Sequence, residues 1–375
     1  MVASPARMIG RRNPSLLRWT KVVALCTVFA SPRAQAQSNV DPTLAPKLER
    51  KPSAFSGTQV FAMTSMSTAT VFPNQQQDYN PTIDTSLFFQ PRYALSDALQ
   101  LRGRLVFTYE LTNSDTTVTR NEPRLSDTLA QLYYRKIPEV AGIKPLVGVS
   151  LALPTSPESR ARTMLFSPGV VAQASKSFAH VWGGGVSLLA VAAYAHPIYG
   201  RQTAEIRGRA PYAFACAGGT SCQDQLSGVF NPSDIVSYSL IVSGHWGRWS
   251  PALMYLGTSQ WVYQGKTPVN PIDGTPVVSP SGFEPTIIRQ TSYVSAWLDY
   301  DVNSWLTAEI GYAMLRNVLD EDGTRGNPFI SRYQDMRVYL GANINVENAV
   351  LEISGGSGER GVVRATNAFA TPRAF

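Results

Sequence analysis

The sequence predicts an all-β protein, a transmembrane antiparallel up-and-down β-barrel of about 12 strands. Three observations carry that expectation. Residues Leu99 to Thr112 alternate apolar and polar side chains, strand-like runs recur along the rest of the chain, and the links between those runs are alternately short and long. In the first stretch Leu99, Leu101, Leu105, Phe107, Tyr109 and Leu111 fall on one face and Gln100, Arg102, Arg104, Thr108, Glu110 and Thr112 on the other. A period of two is a strand with one oily and one polar face. Its fourteen positions exceed the usual soluble strand of about 5–6 residues and suffice to cross a bilayer, where a tilted strand needs about 9–11. An Arg on lipid at the midplane costs roughly 2–4 kcal/mol, so Arg102 and Arg104 must point inward.

The chain opens with Arg7, Arg11, Arg12, Arg18 and Lys21, then the apolar run Val22 to Ala30, then Ser31-Pro32-Arg33-Ala34-Gln35-Ala36. A basic segment, a short apolar core and an Ala-x-Ala site describe a secretory signal peptide, residues 1–36, with cleavage after Ala36. The apolar run is too short to span as a helix. Cys26 follows Leu25 rather than a small residue, so it leaves with the signal instead of taking a lipid. Arg11-Arg12 hints at twin-arginine export, but Pro14 and the distance to the apolar core favour the ordinary route. Without this segment the formal charge falls from +7 to +1. The high pI therefore belongs to the targeting segment, and nothing supports nucleic-acid binding.

Residues 37–55 are rich in Pro, Lys, Asp and Ser without a period and read as a flexible N-terminal segment. Twelve strands follow, near 57–70, 83–95, 98–112, 126–137, 142–153, 168–178, 184–197, 234–246, 249–259, 287–300, 304–316 and 333–346, so the barrel is expected over 56–346. In the second, Ile83, Leu87, Phe89, Tyr93 and Leu95 oppose Asp84, Ser86, Gln90 and Arg92, with Phe88 an exception. Val236, Tyr238, Leu240 and Val242 alternate with Ser237, Ser239 and Ser243, and Leu306, Ala308, Ile310, Tyr312 and Met314 with Thr307 and Glu309. In the last, Met336, Val338, Leu340, Ala342, Ile344 and Val346 alternate with Asp335, Arg337, Tyr339, Asn343 and Asn345. Small and apolar residues occupy both faces of the first, sixth and seventh.

Short turns are expected at Ser96-Asp97, Pro138 to Ala141, Ala179 to Gly183, Gly247-Arg248 and Asp301 to Asn303, and longer links at 71–82, 113–125, 154–167, 198–233, 260–286 and 317–332. That asymmetry belongs to outer-membrane barrels, whose short turns face the periplasm. An even strand count returns both termini there. Trp246, Trp249, Trp305, Tyr300 and Tyr93 near the turns fit an interfacial belt. Cys216 and Cys222, in CAGGTSC within a long link, are placed to form a disulfide in an exported chain. The end is less regular: Phe375 matches a common assembly signal, but Pro372 could not sit in a paired closing strand, so 347–375 reads as a tail. Two further strands from Ala349, giving fourteen, are the alternative.

The run from Asp127 through Phe178, with GVSLALPTSPESR and then SKSF, resembles the outer-membrane transporter-like barrels related to those encoded with meta-pathway phenol degradation. The matching residues are Leu153, Pro154 and Thr155, where a strand leads into an outer loop; Ser156-Pro157 stands where that family has Gly-Asp. The resemblance implies a twelve-stranded barrel of unspecified cargo.

Signals for catalysis are thin. His180, His196 and His245 are the three histidines, and no two are spaced as metal ligands, so neither metal nor cofactor is expected. An outer-membrane lipid hydrolase would need a His-Ser pair on the outer surface near the loops. His196 is the one plausible base, whereas Ser243-Gly244-His245 lies at the wrong end. No enzyme is therefore expected. Twelve charged residues fall on the expected lumen face: Asp84, Arg92, Arg102, Arg104, Glu110, Asp127, Arg135, Arg289, Asp299, Glu309, Asp335 and Arg337, six of each sign. Either they pair across strands and hold the barrel in shape, or some form a constriction that selects a solute. The expectation is an outer-membrane channel or transporter-like barrel, with outer-membrane lipid and a small solute of unspecified identity as partners. Its rival is a closed barrel whose long loops bind or build surface structure.

Overall fold

The computed structural model describes residues 53–71, 82–112, 121–202, 230–263, 288–318, 325, 327, 329–330 and 335–354. The expected signal peptide, the Cys216/Cys222 pair and residues 355–375 lie outside them. In order, the elements are β1 (Gln59–Ser67), β2 (Ile83–Gln90), β3 (Arg92–Ala94), β4 (Leu99–Glu110), β5 (Pro123–Leu125), β6 (Thr128–Tyr134), β7 (Ile143–Leu153), the helix α1 (Pro157–Ala161), β8 (Met164–Val181), β9 (Gly184–Ala195), β10 (Ile198–Tyr199), β11 (Pro232–His245), β12 (Trp249–Val262), β13 (Ile288–Asp301), β14 (Leu306–Asn317), β15 (Asp335–Asn345) and α2 (Val346–Ile353).

Three of the strands are interrupted crossings. β2 and β3 are parted by Pro91, β5 and β6 by Ser126-Asp127, and β9 and β10 by His196-Pro197, which leaves twelve crossings in one antiparallel sheet. The sheet closes because β1 pairs with β2 on one side and with β15 on the other, from Gln59↔Asn345 to Ser67↔Arg337. Closure removes both edges, the condition for strands to span a bilayer with every backbone group paired. The barrel therefore has twelve strands, and β15 is the closing one.

The alternation of β4 sets the two faces as its sequence requires. Leu99, Leu101, Phe107 and Tyr109 are exposed on the outside, while Gln100 and Glu110 are buried inside. The same holds in β7, where Val147, Val149, Leu151 and Leu153 face out, in β11 with Tyr238, Leu240 and Val242, and in β15 with Val338 and Leu340. Together these side chains form the apolar band of a transmembrane barrel.

The periplasmic-type turns are tight. Trp246 and Trp249 exchange backbone hydrogen bonds of 2.9 and 3.0 Å across Gly247-Arg248. Gly247 has φ +60° at the first central position, where a two-residue hairpin needs a residue free of Cβ strain. At the other end of the chain, Asn345 stops β15 and caps α2, its side-chain oxygen accepting from the Asn348 N–H at 3.1 Å.

The interior differs from a purely polar lining. Phe61, Met63 and Phe88 are buried inside with Tyr133, Val171, Leu189, Val191, Ile241, Met254, Leu256, Tyr293 and Tyr339. Lipid constrains only the outward positions of a barrel strand; inward positions may be apolar wherever neighbours cover them. Phe88, out of pattern in sequence, stands in the polar parity of β2 and packs on Phe61, ring centroids 5.7 Å apart.

Candidate functional site

The interior is the candidate site, and its outer mouth is held by charge pairs. Ser65 Oγ donates to Asp84 Oδ1 at 2.7 Å, and Arg337 Nη1 donates both to Asp84 Oδ2 and to Ser65 Oγ, the latter at 3.1 Å. The three come from β2, β1 and β15, so this buried cluster ties the first strands to the last. Glu110 stands opposite Asp84 in register and accepts from Thr112 Oγ1 at 3.1 Å.

Nearby, α1 is fastened to the wall. Thr155 Oγ1 donates to the Ser126 carbonyl at 2.6 Å and accepts from the Thr128 N–H at 2.8 Å. Asp127 accepts the Ser156 N–H at 3.0 Å and the Ser159 hydroxyl, while Ser156 Oγ caps the helix through the Ser159 N–H at 3.0 Å. Glu158 pairs with Arg124 on β5. Burial pushes the Glu158 carboxyl up from the ordinary range, while its backbone hydrogen bond, Arg162 and Arg160 draw it back. The Leu153-Pro154-Thr155 stretch thus has a mechanical role: Thr155 closes the break between β5 and β6.

Deeper inside, three arginines gather on neighbouring strands. Arg92 on β3 and Arg102 on β4 are register partners, with Arg104 two residues on. Arg102 Nε donates to Gln100 Oε1 at 2.9 Å, and its guanidinium lies over the Tyr133 ring, 4.3 Å from the centroid. Tyr133 OH accepts from Gln173 Nε2 at 3.0 Å and donates to Gln131 Oε1 at 3.3 Å. Three to five crossings away around the ring, Asp299 on β13 and Glu309 on β14 face each other in register, and Tyr339 OH donates to Glu309 Oε1 at 2.8 Å. Asp301 accepts from Thr307 Oγ1 at 3.1 Å. The three arginines sit on the second and third crossings, which also carry Asp84 and Glu110, and the two acids on the tenth and eleventh, which also carry Arg289 and Arg316.

Several inward rings lie along the wall rather than across the space. The tip of Tyr339 occupies the place a Cβ on Gly311 would take, and Tyr133 and Phe61 cover Gly148 and Gly341 in the same way. Each glycine is there for that close approach.

Of the other expected lining residues, Arg289 stands opposite Gln260 near the outer end of β13 and is half-buried. Arg135 follows the end of β6 and is exposed at the rim, where its charge acts on Arg92 and Arg102. Asp335 opens β15, its side chain outside the described residues. Sequence reasoning missed Arg124, Glu158 and the aromatic groups, although Tyr133 and Tyr339 share the parity of Gln131 and Arg337. Among the described residues no group of three or more potential ligands gathers as for a metal ion.

On the outward face, Tyr194 OH donates to Asp234 Oδ1 at 2.6 Å and His196 Nδ1 lies 3.1 Å from the same oxygen. Among the described residues, His196 is bonded to no serine.

No protein-family model and no curated protein matches the chain. Among solved structures it is similar to an outer membrane channel from Pseudomonas putida F1, at 14% identity and TM-score 0.42 over 81% of this chain and 99% of that one. The NanC porin matches at 10% identity and TM-score 0.41, over 77% and 100%. The Salmonella typhi outer membrane phospholipase matches at 12% identity and TM-score 0.34, over 77% and 90%.

Proposed function

We propose that this barrel is a channel for small solutes across the outer membrane, with Arg92, Arg102 and Arg104 drawing anions along one wall. The gathering of these three arginines on neighbouring strands carries the reading. Charges of one sign gathered on a low-dielectric surface raise the local concentration of counter-ions. Asp84 and Arg337 serve the bracing role. The resemblance at Leu153-Pro154-Thr155 to the phenol-degradation barrels belongs to this reading, and so does a non-enzymatic role.

The test is R102E/R104E in planar bilayers under a salt gradient. Reversal potentials should move towards cation selectivity by tens of millivolts, with the heat-modified gel shift retained. A second reading is favoured by the burial of Phe61 (1% exposed) and Tyr133 (0%): a closed barrel serving binding or surface structure. Absence of single-channel conductance in the purified wild-type protein would select it.

A further inference from the structure

At one place in the described wall the backbone ladder stops and resumes several residues higher. β9 and β11 pair from Gly185↔His245 up to Ala195↔Ile235, and there the register ends. Above that point β10 pairs with β8, while the upper part of β11 pairs with β12. Contact between the two sides returns where the Asn231 N–H meets the Gln202 carbonyl at 2.8 Å. Residues 196–201 flank the interval on one side and 232–234 on the other. The cause is in the sequence: His196-Pro197 and Asn231-Pro232 put a proline on each side, and proline has no N–H to continue a ladder.

Side chains close the interval instead. On the outside, Asp234 holds both Tyr194 and His196 across it, at 2.6 and 3.1 Å. At its upper edge, Asn231 Nδ2 donates to the carbonyls of Arg162 and Arg201 at 3.0 and 2.9 Å. Pro197 is fully buried behind it, and Tyr199 meets Tyr263 edge-on, centroids 6.4 Å apart. The lumen wall below is largely apolar, with Val171, Leu189, Val191, Ala193 and Ile241 around the buried Gln173 and Ser239. His196 follows the 12 residues of β9. At an axial rise of about 2.5 Å per residue for a strand tilted by about 40°, it stands about 30 Å from the periplasmic turn, level with the outer leaflet.

We propose that this seam is a lateral portal through which small apolar molecules pass between the lumen and the outer leaflet, latched by His196 and Asp234. Opening the wall elsewhere breaks backbone rungs; between the last β9–β11 rung and the Asn231 bonds at the upper edge it breaks two side-chain hydrogen bonds, beside a largely apolar stretch of lumen. The proposal rests on the channel reading in needing a lumen reachable from the outer mouth.

The test uses the full chain with Cys216 and Cys222 replaced by Ser, carrying H196C/D234C, in a Gram-negative host. Fluorescence of N-phenyl-naphthylamine reports entry of an apolar probe. With the seam disulfide formed, the entry rate should fall several-fold towards that of cells lacking the protein. Dithiothreitol should restore it, while chloride conductance in planar bilayers stays the same in both states. H196A/D234A should raise probe entry several-fold with the heat-modified mobility kept. Probe entry indifferent to a disulfide confirmed by gel mobility, or to removal of the latch in H196A/D234A, would overturn the portal. Failure of the channel reading would look different: no chloride conductance from the wild-type protein, whatever the seam variants do.

Discussion

A single buried cation shows how much one residue can carry. Arg337 serves Asp84 and Ser65 at once, all three nearly excluded from solvent. Replacing Arg337 with Ala leaves the Asp84 carboxylate buried without its charge partner, and should cost about 3–5 kcal/mol. D84A/R337A should cost less than R337A alone, because no charge is stranded. Urea midpoints of the refolded protein in detergent check both, and equal losses would mean Asp84 is solvated after all. The Tyr339 ring offers a second case. A Cβ on Gly311 falls where that ring lies, so G311V should push it off the wall, break the bond to Glu309 and narrow the lumen. Single-channel conductance should fall several-fold in G311V, and unchanged conductance would place the ring elsewhere. Neither role is readable from sequence, since a glycine under a ring and a glycine in a bulge have the same neighbours in the chain. The sequence expects Arg102 and Arg104 inward because lipid forbids the opposite face, and Arg102 lies over the Tyr133 ring.

At the scale of elements, legibility follows what lipid constrains. β4, β7, β11 and β15 announce themselves by alternation because their outward residues must be apolar. β1, β8 and β9 do not, since small and apolar residues on both faces erase the period: in β8, Val171 is buried inside while Val170 faces lipid. The 18 residues of β8 also run past the range 168–178 that its pattern suggests. α1 could not be seen at all, having five residues and no apolar face. It is fixed by Asp127, whose carboxylate takes both the Ser156 N–H and the Ser159 hydroxyl. D127A should therefore release α1 from the mouth. Trypsin added to intact cells should then cut at Arg160 or Arg162 several-fold faster than in the wild type. Equal cutting would mean the Arg124–Glu158 pair holds the helix alone.

For the whole molecule, the strand count was legible because turn lengths and alternation report it independently, and closure of β15 on β1 confirms twelve. The gathering of three arginines on neighbouring strands was not. A list of six charges of each sign gives no arrangement until pairing sets Arg92 beside Arg102 and closure sets Asp299 and Glu309 three to five crossings away around the ring. Closure also fixes that all tight turns share one end and all long links the other, so a single accessibility experiment tests the whole topology. Gln202 lies at the end where the long link to Phe230 begins, and Asn303 lies in a turn where Val302 and Asn303 both bond to the Leu306 carbonyl. Short turns belong to the periplasm. With Cys216 and Cys222 replaced by Ser, a cysteine at Gln202 should react with a membrane-impermeant maleimide on intact cells, and one at Asn303 only after the outer membrane is permeabilised. Reaction at Asn303 but not at Gln202 on intact cells would invert the barrel, and with it the side from which the arginine wall and the seam are reached.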